Sequence, residues 1–245
     1  MLRLPHLDVV APSTIDQAIE ALGVDGARIV AGGTDLVPNL KHRLHRPPTL
    51  VSLHAVDELR AIAFDGTTLR VGAGMTLAEI ERHPEVRRHF PSFAQAAGLV
   101  AGPQLRAMGT LGGNVNLDTR CRYVNQTPFW RSAIGGCLKS EGDVCHVVPK
   151  GRNCVAALSS DCVPALISLD AAIELAGPNG RRTMPLADYF HADGLAHTKR
   201  EPGEITTAIT LAVGGPRRAS YVKWRPRGAI DFPLVSVALR FDLAE

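Results

Sequence analysis

All five cysteines of this 245-residue chain lie within 42 consecutive positions, from Cys121 to Cys162. The sequence between them is rich in glycine turns and basic residues, and it shows little helical or strand periodicity. On either side, apolar residues recur with the spacing of helices and strands. A long irregular segment inside a compact domain is usually functional or disordered. We therefore expect this irregular segment to have a functional role.

The cysteine spacing is C-x15-C-x7-C-x8-C-x7-C. It lacks the paired C-x2-C hooks of zinc ribbons and of bacterial ferredoxins. Four thiolates on one loop still suit a tetrahedral ion or a [4Fe–4S] cluster, and sulfur ligation favours zinc, copper(I) or iron–sulfur. The alternative is a reduced loop whose cysteines are incidental.

The surroundings of the five cysteines separate them into four and one. Cys162 lies in the apolar run DCVPALISL and is predicted to be a core residue, because free cysteine behaves as a small buried hydrophobe. Lys139, Lys150 and Arg152 are expected to offset the charge of thiolates. The four candidate metal ligands, in polar, glycine-rich or basic surroundings, are Cys121, Cys137, Cys145 and Cys154.

The composition is that of an ordinary globular protein, with 45% hydrophobic and 21% charged residues. A net charge of +3 with 5% aromatic residues gives no support for nucleic-acid binding. The N-terminal sequence lacks the apolar region of a secretory signal, and no run of 18 apolar residues predicts a membrane span. We expect a cytoplasmic protein, in which thiols stay reduced and bind metal or do chemistry.

Several local patterns predict regular structure. A first helix begins after Ser13 or Thr14, and a hairpin turns at Asp65-Gly66. Thr76 and Glu79 form a capping box at the start of another helix. PNGRR is the tip of a second hairpin, and alternating strands follow from residue 205 onward.

Two loops each carry a Gly-Gly pair, IVAGGTDL at Ile29 to Leu36 and TLGGNVN at Thr110 to Asn116. Paired glycines let the backbone adopt positive φ and approach a ligand, and successive free amides form an anion-binding nest. Neither loop is a Walker A or G-x-G-x-x-G motif. Together they favour a split diphosphate site; alternatively, each is an ordinary tight turn, and nearby Lys41, His42 and His45 form a solvated basic face.

In their order and separation, AGGTDL, GTLGGNV and SSDCVPALISLDA resemble the FAD-binding medium subunit of the xanthine oxidase family of molybdenum hydroxylases. In most members of that family a few residues separate the second glycine loop from the S-D motif. Here about 45 residues separate Asn114 from Ser160-Asp161, and four cysteines lie between them. This insertion is similar to that of the medium (beta) subunit of 4-hydroxybenzoyl-CoA reductases, whose extra loop carries a [4Fe–4S] cluster.

The resemblance implies an α+β protein with the PCMH-type (vanillyl-alcohol-oxidase-like) FAD-binding fold of two α/β subdomains, followed by the start of a C-terminal α+β domain. The first FAD subdomain would comprise residues 1–55, and the second residues 56–213 with the iron–sulfur loop inserted at 117–158. Residues 214–245 would begin a C-terminal domain that is expected to continue past Glu245.

The resemblance also implies two cofactors, FAD and a [4Fe–4S] cluster, and no catalytic residue. The four cysteines named above would bind the cluster. The residues carried over as FAD contacts are Ile29, Val30, Ala31, Gly32, Gly33, Thr34, Asp35, Leu36, Val100, Thr110, Leu111, Gly112, Gly113, Asn114, Asp161, Ile205 and Lys223.

The implied role is electron transfer within a heterohexamer-type complex. Ferredoxin would reduce the cluster, and electrons would pass by way of FAD to a small [2Fe–2S] subunit and a large molybdopterin-binding subunit, where 4-hydroxybenzoyl-CoA loses its hydroxyl. Three alternatives remain: a family member acting on an aldehyde, a purine or carbon monoxide; a flavoprotein with a zinc-binding or docking loop; and a cysteine-rich interaction module without flavin.

Overall fold

The computed structural model describes residues 3–214 and 217–242. Near the N-terminus, three short strands form a parallel sheet in the order β1-β3-β2, and two helices make the crossovers. The strands are β1 Asp8–Val10, β2 Arg28–Val30 and β3 Thr49–Ser52, and the helices are α1 Ile15–Ala21 and α2 Leu36–Lys41. Parallel neighbours need such crossover connections because a tight turn cannot join them.

A second sheet has five antiparallel strands in the order β4-β5-β8-β6-β7. These strands are β4 Ile62–Phe64, β5 Thr68–Gly72, β6 Ala172–Gly177, β7 Gly180–Pro185 and β8 Ile205–Ala212. Seven helices accompany it: α3 Leu77–Arg82, α4 Pro84–His89, α5 Pro91–Gly98, α6 Pro103–Arg106, α7 Leu111–Val115, α8 Pro128–Ala133 and α9 Cys162–Ser168. Short 3₁₀ helices lie at Asp57–Leu59 and Leu186–Tyr189.

The largest hydrophobic core lies between this sheet and helices α3, α5, α7 and α9. Phe90, Phe93 and Leu166 are completely buried there and pack with Ile173 of the sheet. Cys162, the first residue of α9, is also fully buried in this core. The prediction that Cys162 is a core cysteine is thus confirmed.

Strands β9 Arg217–Trp224 and β10 Val235–Asp242 form a separate antiparallel ribbon. Tyr221 anchors the ribbon, because its side chain is fully buried against Ala96 of α5 and Ala165 of α9. The three sheets follow the proposed division at residues 55 and 213, which we retain as a proposal. Glu245, where the chain stops, lies outside the described residues.

Local capping signals are confirmed. Thr14 caps α1 by accepting a hydrogen bond from the Gln17 amide. Thr76 and Glu79 form the complete capping box of α3. Both hairpins are present, since β4 pairs with β5 and β6 with β7. These features depend on neighbouring residues only, which is why the sequence predicts them.

The second glycine loop differs from the prediction. Residues 111–115 form helix α7, and Thr110 caps it by accepting a hydrogen bond from the Gly113 amide. Strand β1 and helix α4 were not predicted either. Within the described residues, no helix has the length and apolar character needed to cross a membrane.

Candidate functional site

A cleft of about 1080 Å³ opens beside the three-stranded sheet and extends to the N-terminal ends of α7 and α9. All eight residues of the first glycine loop, Ile29 to Leu36, line it. Thr110, Gly112, Gly113 and Asn114 of the second loop line it as well. The fold therefore brings together the two loops that the sequence analysis paired.

Glycine is required where the two loops approach each other. A Cβ atom on Gly32 would lie 1.8 Å from the carbonyl oxygen of Met108, which no side chain can accommodate. A Cβ atom on Gly109 would lie 3.3 Å from Oγ1 of Thr34. Gly33 adopts a φ of 68°, in the left-handed region that glycine occupies without strain. Where the two loops meet, the cleft is thus lined by backbone atoms without side chains.

The amides of the two loops differ in how they are used. No backbone carbonyl within the described ranges accepts a hydrogen bond from the amides of Gly32, Gly33 or Thr34, so this loop keeps donors for an anion. In the second loop, the Leu111 amide donates to Met75 and the Gly112 amide to Ala73. The expected second nest is therefore wrong, because these amides hold α7 against β5 and the residues that follow it.

Asp161, which precedes α9, lines the cleft and is almost completely buried. Its carboxylate accepts hydrogen bonds from the Tyr221 hydroxyl at 2.6 Å and from Nζ of Lys223 at 2.8 Å. Burial raises the pKa of Asp161, whereas the hydrogen bonds from Lys223 and Tyr221 oppose that rise. Beside it, Asn114 accepts a hydrogen bond from the Ser160 hydroxyl at 2.6 Å.

The remaining residues carried over from the family divide into two groups. Val100 and Ile205 line the cleft. Leu111 and Lys223 are not among the lining residues: Leu111 packs into the main core, and Nζ of Lys223 is engaged by Asp161 and by the Leu99 carbonyl at 3.1 Å. Lys223 contacts Asp161, which lines the cleft, and its role as an FAD contact stays a prediction.

Several cleft residues were missed by the sequence analysis. Arg28 of β2 and Arg200 line the cleft close to each other, and burial lowers the pKa of Arg28. Arg120 lines it too, forming an ion pair with Asp35 and stacking 4.8 Å above the ring of Phe232. The buried Nε atom of Arg120 has no hydrogen-bond partner in the described chain. These cations come from distant sequence positions, so only the fold brings them together.

The cleft therefore fits FAD in size, backbone exposure and charge. A flavin dinucleotide needs a long cavity, donors for a diphosphate and a surface that its rings can contact closely. The first glycine loop offers free amides, and Arg28, Arg120 and Arg200 supply positive charge. An aspartate and an asparagine that line the cleft provide acceptors for polar groups of the ligand.

The four candidate ligand cysteines surround one small cavity in the insertion. Cys121 and Cys145 are half-buried there, whereas Cys137 and Cys154 are buried. Tyr123, His146 and Lys139 complete much of the wall. A segment of 42 residues has thus folded so that four cysteines face the same space, and the fifth lies elsewhere in the core.

Backbone amides point at two of the sulfur atoms. The Val148 amide nitrogen lies 3.4 Å from Sγ of Cys145, and that of Ala156 lies 3.5 Å from Sγ of Cys154. The hydrogen bond from Val148 is the largest cause of a lowered pKa for the Cys145 thiol. Burial raises the pKa of Cys154, with its amide bond and the Lys139 charge opposing this. Amide–sulfur bonds of this kind stabilise thiolate ligands.

The four cysteines supply the donor atoms of this cavity. Among residues 3–214 and 217–242, no three His, Cys, Asp or Glu side chains are arranged to share one metal ion. A tetrahedral zinc site needs sulfur atoms about 3.8 Å apart, given Zn–S bonds of about 2.3 Å. An iron–sulfur cluster spreads its four thiolates further apart, over the corners of a larger body. Four cysteines around one cavity match the number of thiolate ligands that either site uses.

The cavity has about 20 Å³ of free space, enough for roughly one water molecule. A metal group bound by the insertion would occupy this cavity, with the four cysteines around it as its ligands.

A short polar bridge separates this cavity from the cleft. Nζ of Lys139 donates to Asp118 at 2.7 Å, and Asp118 also lies 3.3 Å from Nε2 of His45. Asp118 and His45 line the cleft, and Lys139 lines the cysteine cavity. Burial opposes ionisation of Asp118, but hydrogen bonds from His45 and Lys139 hold its pKa well below the usual range. His45 is thus part of the site rather than of a solvated basic face.

Comparison with known proteins supports FAD binding by this chain. The family described as "FAD binding domain in molybdopterin dehydrogenase" matches residues 5–212. The chain is 33% identical over 232 residues to the aldehyde oxidoreductase FAD-binding subunit PaoB of Escherichia coli, covering 91% of this chain and 73% of that protein. It is 35% identical over 245 residues to the nicotine 6-hydroxylase medium subunit of Paenarthrobacter nicotinovorans, covering 100% of this chain and 72% of that one.

The fold agrees with these matches. A chain of carbon monoxide dehydrogenase from Hydrogenophaga pseudoflava superposes with a TM-score of 0.80 at 24% identity, over 100% of this chain and 72% of that chain. Some relatives are longer still, since this chain spans 59% of the nicotinate dehydrogenase FAD-subunit of Eubacterium barkeri. The fold expected from the resemblance, a mixed α/β FAD-binding domain, is confirmed. The chain belongs to the family of FAD-binding domains of molybdopterin dehydrogenases.

Proposed function

We propose that this chain is the electron-transfer subunit of a molybdenum-dependent oxidoreductase and that it carries both FAD and a [4Fe–4S] cluster. The observation that carries the proposal is the position of the cysteines. Four of them line one cavity beside the FAD cleft, with Cys162 excluded from it. Bound FAD supplies one- and two-electron chemistry, and a bound cluster supplies one-electron chemistry.

The residues of the chain bind and orient these groups. The first glycine loop and the cleft arginines would hold the diphosphate, and Asp161 and Asn114 also line the cleft. Cys121, Cys137, Cys145 and Cys154 would ligate the cluster. Asp118 and Lys139 form an ion pair between a residue of the cleft and a residue of the cysteine cavity.

We further propose that the electron donor is a small acidic redox protein of the ferredoxin type. The insertion at 117–158 contains six Lys and Arg residues and three Asp and Glu residues, so it accounts for the net charge of +3 of the whole chain. Arg122, Lys150 and Arg152 are exposed on it, together with the ring of Phe129. A basic surface of this kind attracts an acidic partner and orients its approach.

The partners and substrate follow the family as proposals. A large molybdopterin-binding subunit and a small [2Fe–2S] subunit would complete the complex. The cysteine insertion supports a complex of the 4-hydroxybenzoyl-CoA reductase type, in which the substrate takes up two electrons and two protons and releases water to give benzoyl-CoA. The 33% identity to an aldehyde oxidoreductase subunit supports a second candidate, in which an aldehyde and water give a carboxylic acid, two electrons and two protons.

Two experiments test the proposal. Electron paramagnetic resonance of the anaerobically reduced protein should show the signal of a reduced [4Fe–4S] cluster. The complex purified with its partner subunits should then be assayed with 4-hydroxybenzoyl-CoA plus reduced ferredoxin, and separately with an aromatic aldehyde plus an electron acceptor. Turnover of one substrate alone decides between the two candidates. A protein that carries flavin but gives no cluster signal contradicts the electron-transfer role of the insertion.

A further inference from the structure

Arg131 is a buried cation within the cysteine insertion. It lies in α8, between Cys121 and Cys137, and is only 2% exposed. A buried guanidinium is costly unless its donors are satisfied. The donors of Arg131 reach three separate segments of the chain, and all three lie outside its own helix.

The partners of Arg131 are mainly backbone carbonyls. Its Nη1 atom donates to the carbonyl oxygen of His42 at 3.2 Å and to that of Gln126 at 2.7 Å. Its Nη2 atom donates to the carbonyl oxygen of Arg43 at 3.3 Å. The carboxylate of Glu141 completes the set, with both oxygens at 3.3 Å from the guanidinium. Arg131 therefore ties the insertion to residues 42 and 43.

Those two carbonyls belong to the C-terminal end of α2, which spans Leu36–Lys41. The N-terminal end of α2 is the first glycine loop of the FAD cleft. A second arginine of the insertion, Arg120, forms an ion pair with Asp35 at that end. Asp35 is in turn held by Asn39 of α2, whose Nδ2 atom donates to it at 3.0 Å. The insertion thus contacts both ends of α2, through Arg120 at one end and Arg131 at the other.

Both of these arginines are closely linked to candidate ligand cysteines. Arg120 precedes Cys121 in the chain. The carbonyl of Arg131 accepts a hydrogen bond from the Gly136 amide at 2.9 Å, and Gly136 precedes Cys137. A movement of the cysteine loops is therefore carried to α2. A metal group held by the cysteines would fix the positions of these loops and, through the two arginines, the position of α2.

We propose that Arg131 is a positioning residue that couples occupancy of the cysteine cavity to the FAD loop, so that filling the cavity tightens FAD binding. This inference rests on the proposed function. Coupling between two sites is reciprocal, and it commonly changes affinity between about 5- and 150-fold. We expect removal of the cluster to weaken FAD binding about tenfold in the wild-type chain. FAD should slow the loss of the cluster correspondingly.

The test uses the full chain and measures the FAD dissociation constant by flavin fluorescence. Each protein is titrated with its cluster intact and after anaerobic removal of iron with a chelator. In Arg131→Met, the iron content should be retained, and FAD should bind equally weakly with and without the cluster. Arg131→Lys keeps a charge and donors and should recover part of the coupling. Arg88→Met changes an exposed arginine of α4 that lines neither the FAD cleft nor the cysteine cavity, and it should behave as the wild type.

The inference does not depend on the variants folding. In the wild-type chain, hydrogen exchange at residues 36–44 should become faster when iron is removed. Equal FAD affinity and equal exchange with and without the cluster would overturn the coupling while leaving the cluster assignment intact. Zinc in place of iron would contradict the cluster assignment, and the same comparison with and without zinc would still test Arg131. A chain that binds no metal would overturn both the cluster assignment and the coupling through Arg131.

Discussion

Nζ of Lys223 lies 2.8 Å from Oδ2 of Asp161, and the two side chains are 1% and 3% exposed. The pair joins the ribbon of β9 and β10 to the FAD cleft. Family resemblance alone places Lys223 beside the flavin. The structure instead places Asp161 at the cleft and Lys223 behind it. The lysine therefore sets the charge and orientation of the aspartate.

Lys223→Met should leave the Asp161 carboxylate buried and without its cation. Removing one member of a buried ion pair costs about 3–5 kcal/mol in the free energy of unfolding. We expect FAD affinity to fall as well. The double variant Asp161→Asn with Lys223→Met should recover part of the stability, since no charge is then stranded. Denaturant unfolding of the wild type, both single variants and the double variant checks this; additive losses would contradict a direct interaction.

Gly32→Ala should abolish tight FAD binding, because the new Cβ would collide with the Met108 carbonyl and separate the two loops. Gly228→Ala is a matched control, since a Cβ there meets nothing within 4 Å. We expect the flavin content of the first variant to drop by about tenfold or more, which corresponds to about 1.4 kcal/mol. Retention of flavin in Gly32→Ala would show that the loops do not form the diphosphate site.

Cys137→Ser should remove iron and inorganic sulfide from the purified protein but leave flavin bound, with the weakened affinity inferred above. Cys162→Ala is the control, because that thiol lies in the main core rather than in the cysteine cavity. Iron and flavin analysis of both variants checks the prediction. Iron loss in Cys162→Ala, with iron kept in Cys137→Ser, would mean that the set of ligands is assigned wrongly.

Glu204 should make stability depend on pH. Hydrogen bonds to Arg182, at 2.6 and 2.8 Å, are the largest cause of its lowered pKa. A glutamate whose pKa is lower in the folded state than in the unfolded state stabilises the fold at pH values above the unfolded pKa of about 4.3. This stabilisation is lost as the pH falls through the folded-state pKa. We expect Glu204→Gln to cost about 1 kcal/mol at pH 7, since Arg182 is partly exposed.

The difference between wild type and Glu204→Gln should shrink as the pH falls below about 4.3. Urea unfolding of both apoproteins across that range measures it, with the exposed neighbour Glu201→Gln as the control. A difference that stays constant with pH would assign the effect to packing rather than to charge.

Features fixed by neighbouring residues could be predicted from the sequence. The capping box of Thr76 and Glu79 and the core position of Cys162 are examples. Helix α7 was missed because two glycines disfavour a helix. In the fold, Gly112 is required there, since a Cβ would lie 2.9 Å from that of Ala73. Such a contact between distant segments leaves no local signal.

The same limit explains the missed parts of the site. Nothing in the sequence distinguishes Arg28, Arg120 and Arg200 from ordinary surface cations. The fold brings all three to the cleft. The contact of Arg131 with α2 gave no signal, because those two carbonyl partners lie 88 and 89 residues away. The cysteines were recognisable because their residue type and clustering carry chemical meaning without any tertiary information.

The most direct test of the account is an anaerobic absorption spectrum of the purified wild-type protein, combined with iron, zinc and flavin analysis. We predict flavin bands with an underlying iron–sulfur absorption, about one flavin and about four irons per chain, as a four-cysteine cluster requires. Flavin with zinc, or with no metal, would keep the FAD-binding fold and contradict the role of the insertion in electron transfer.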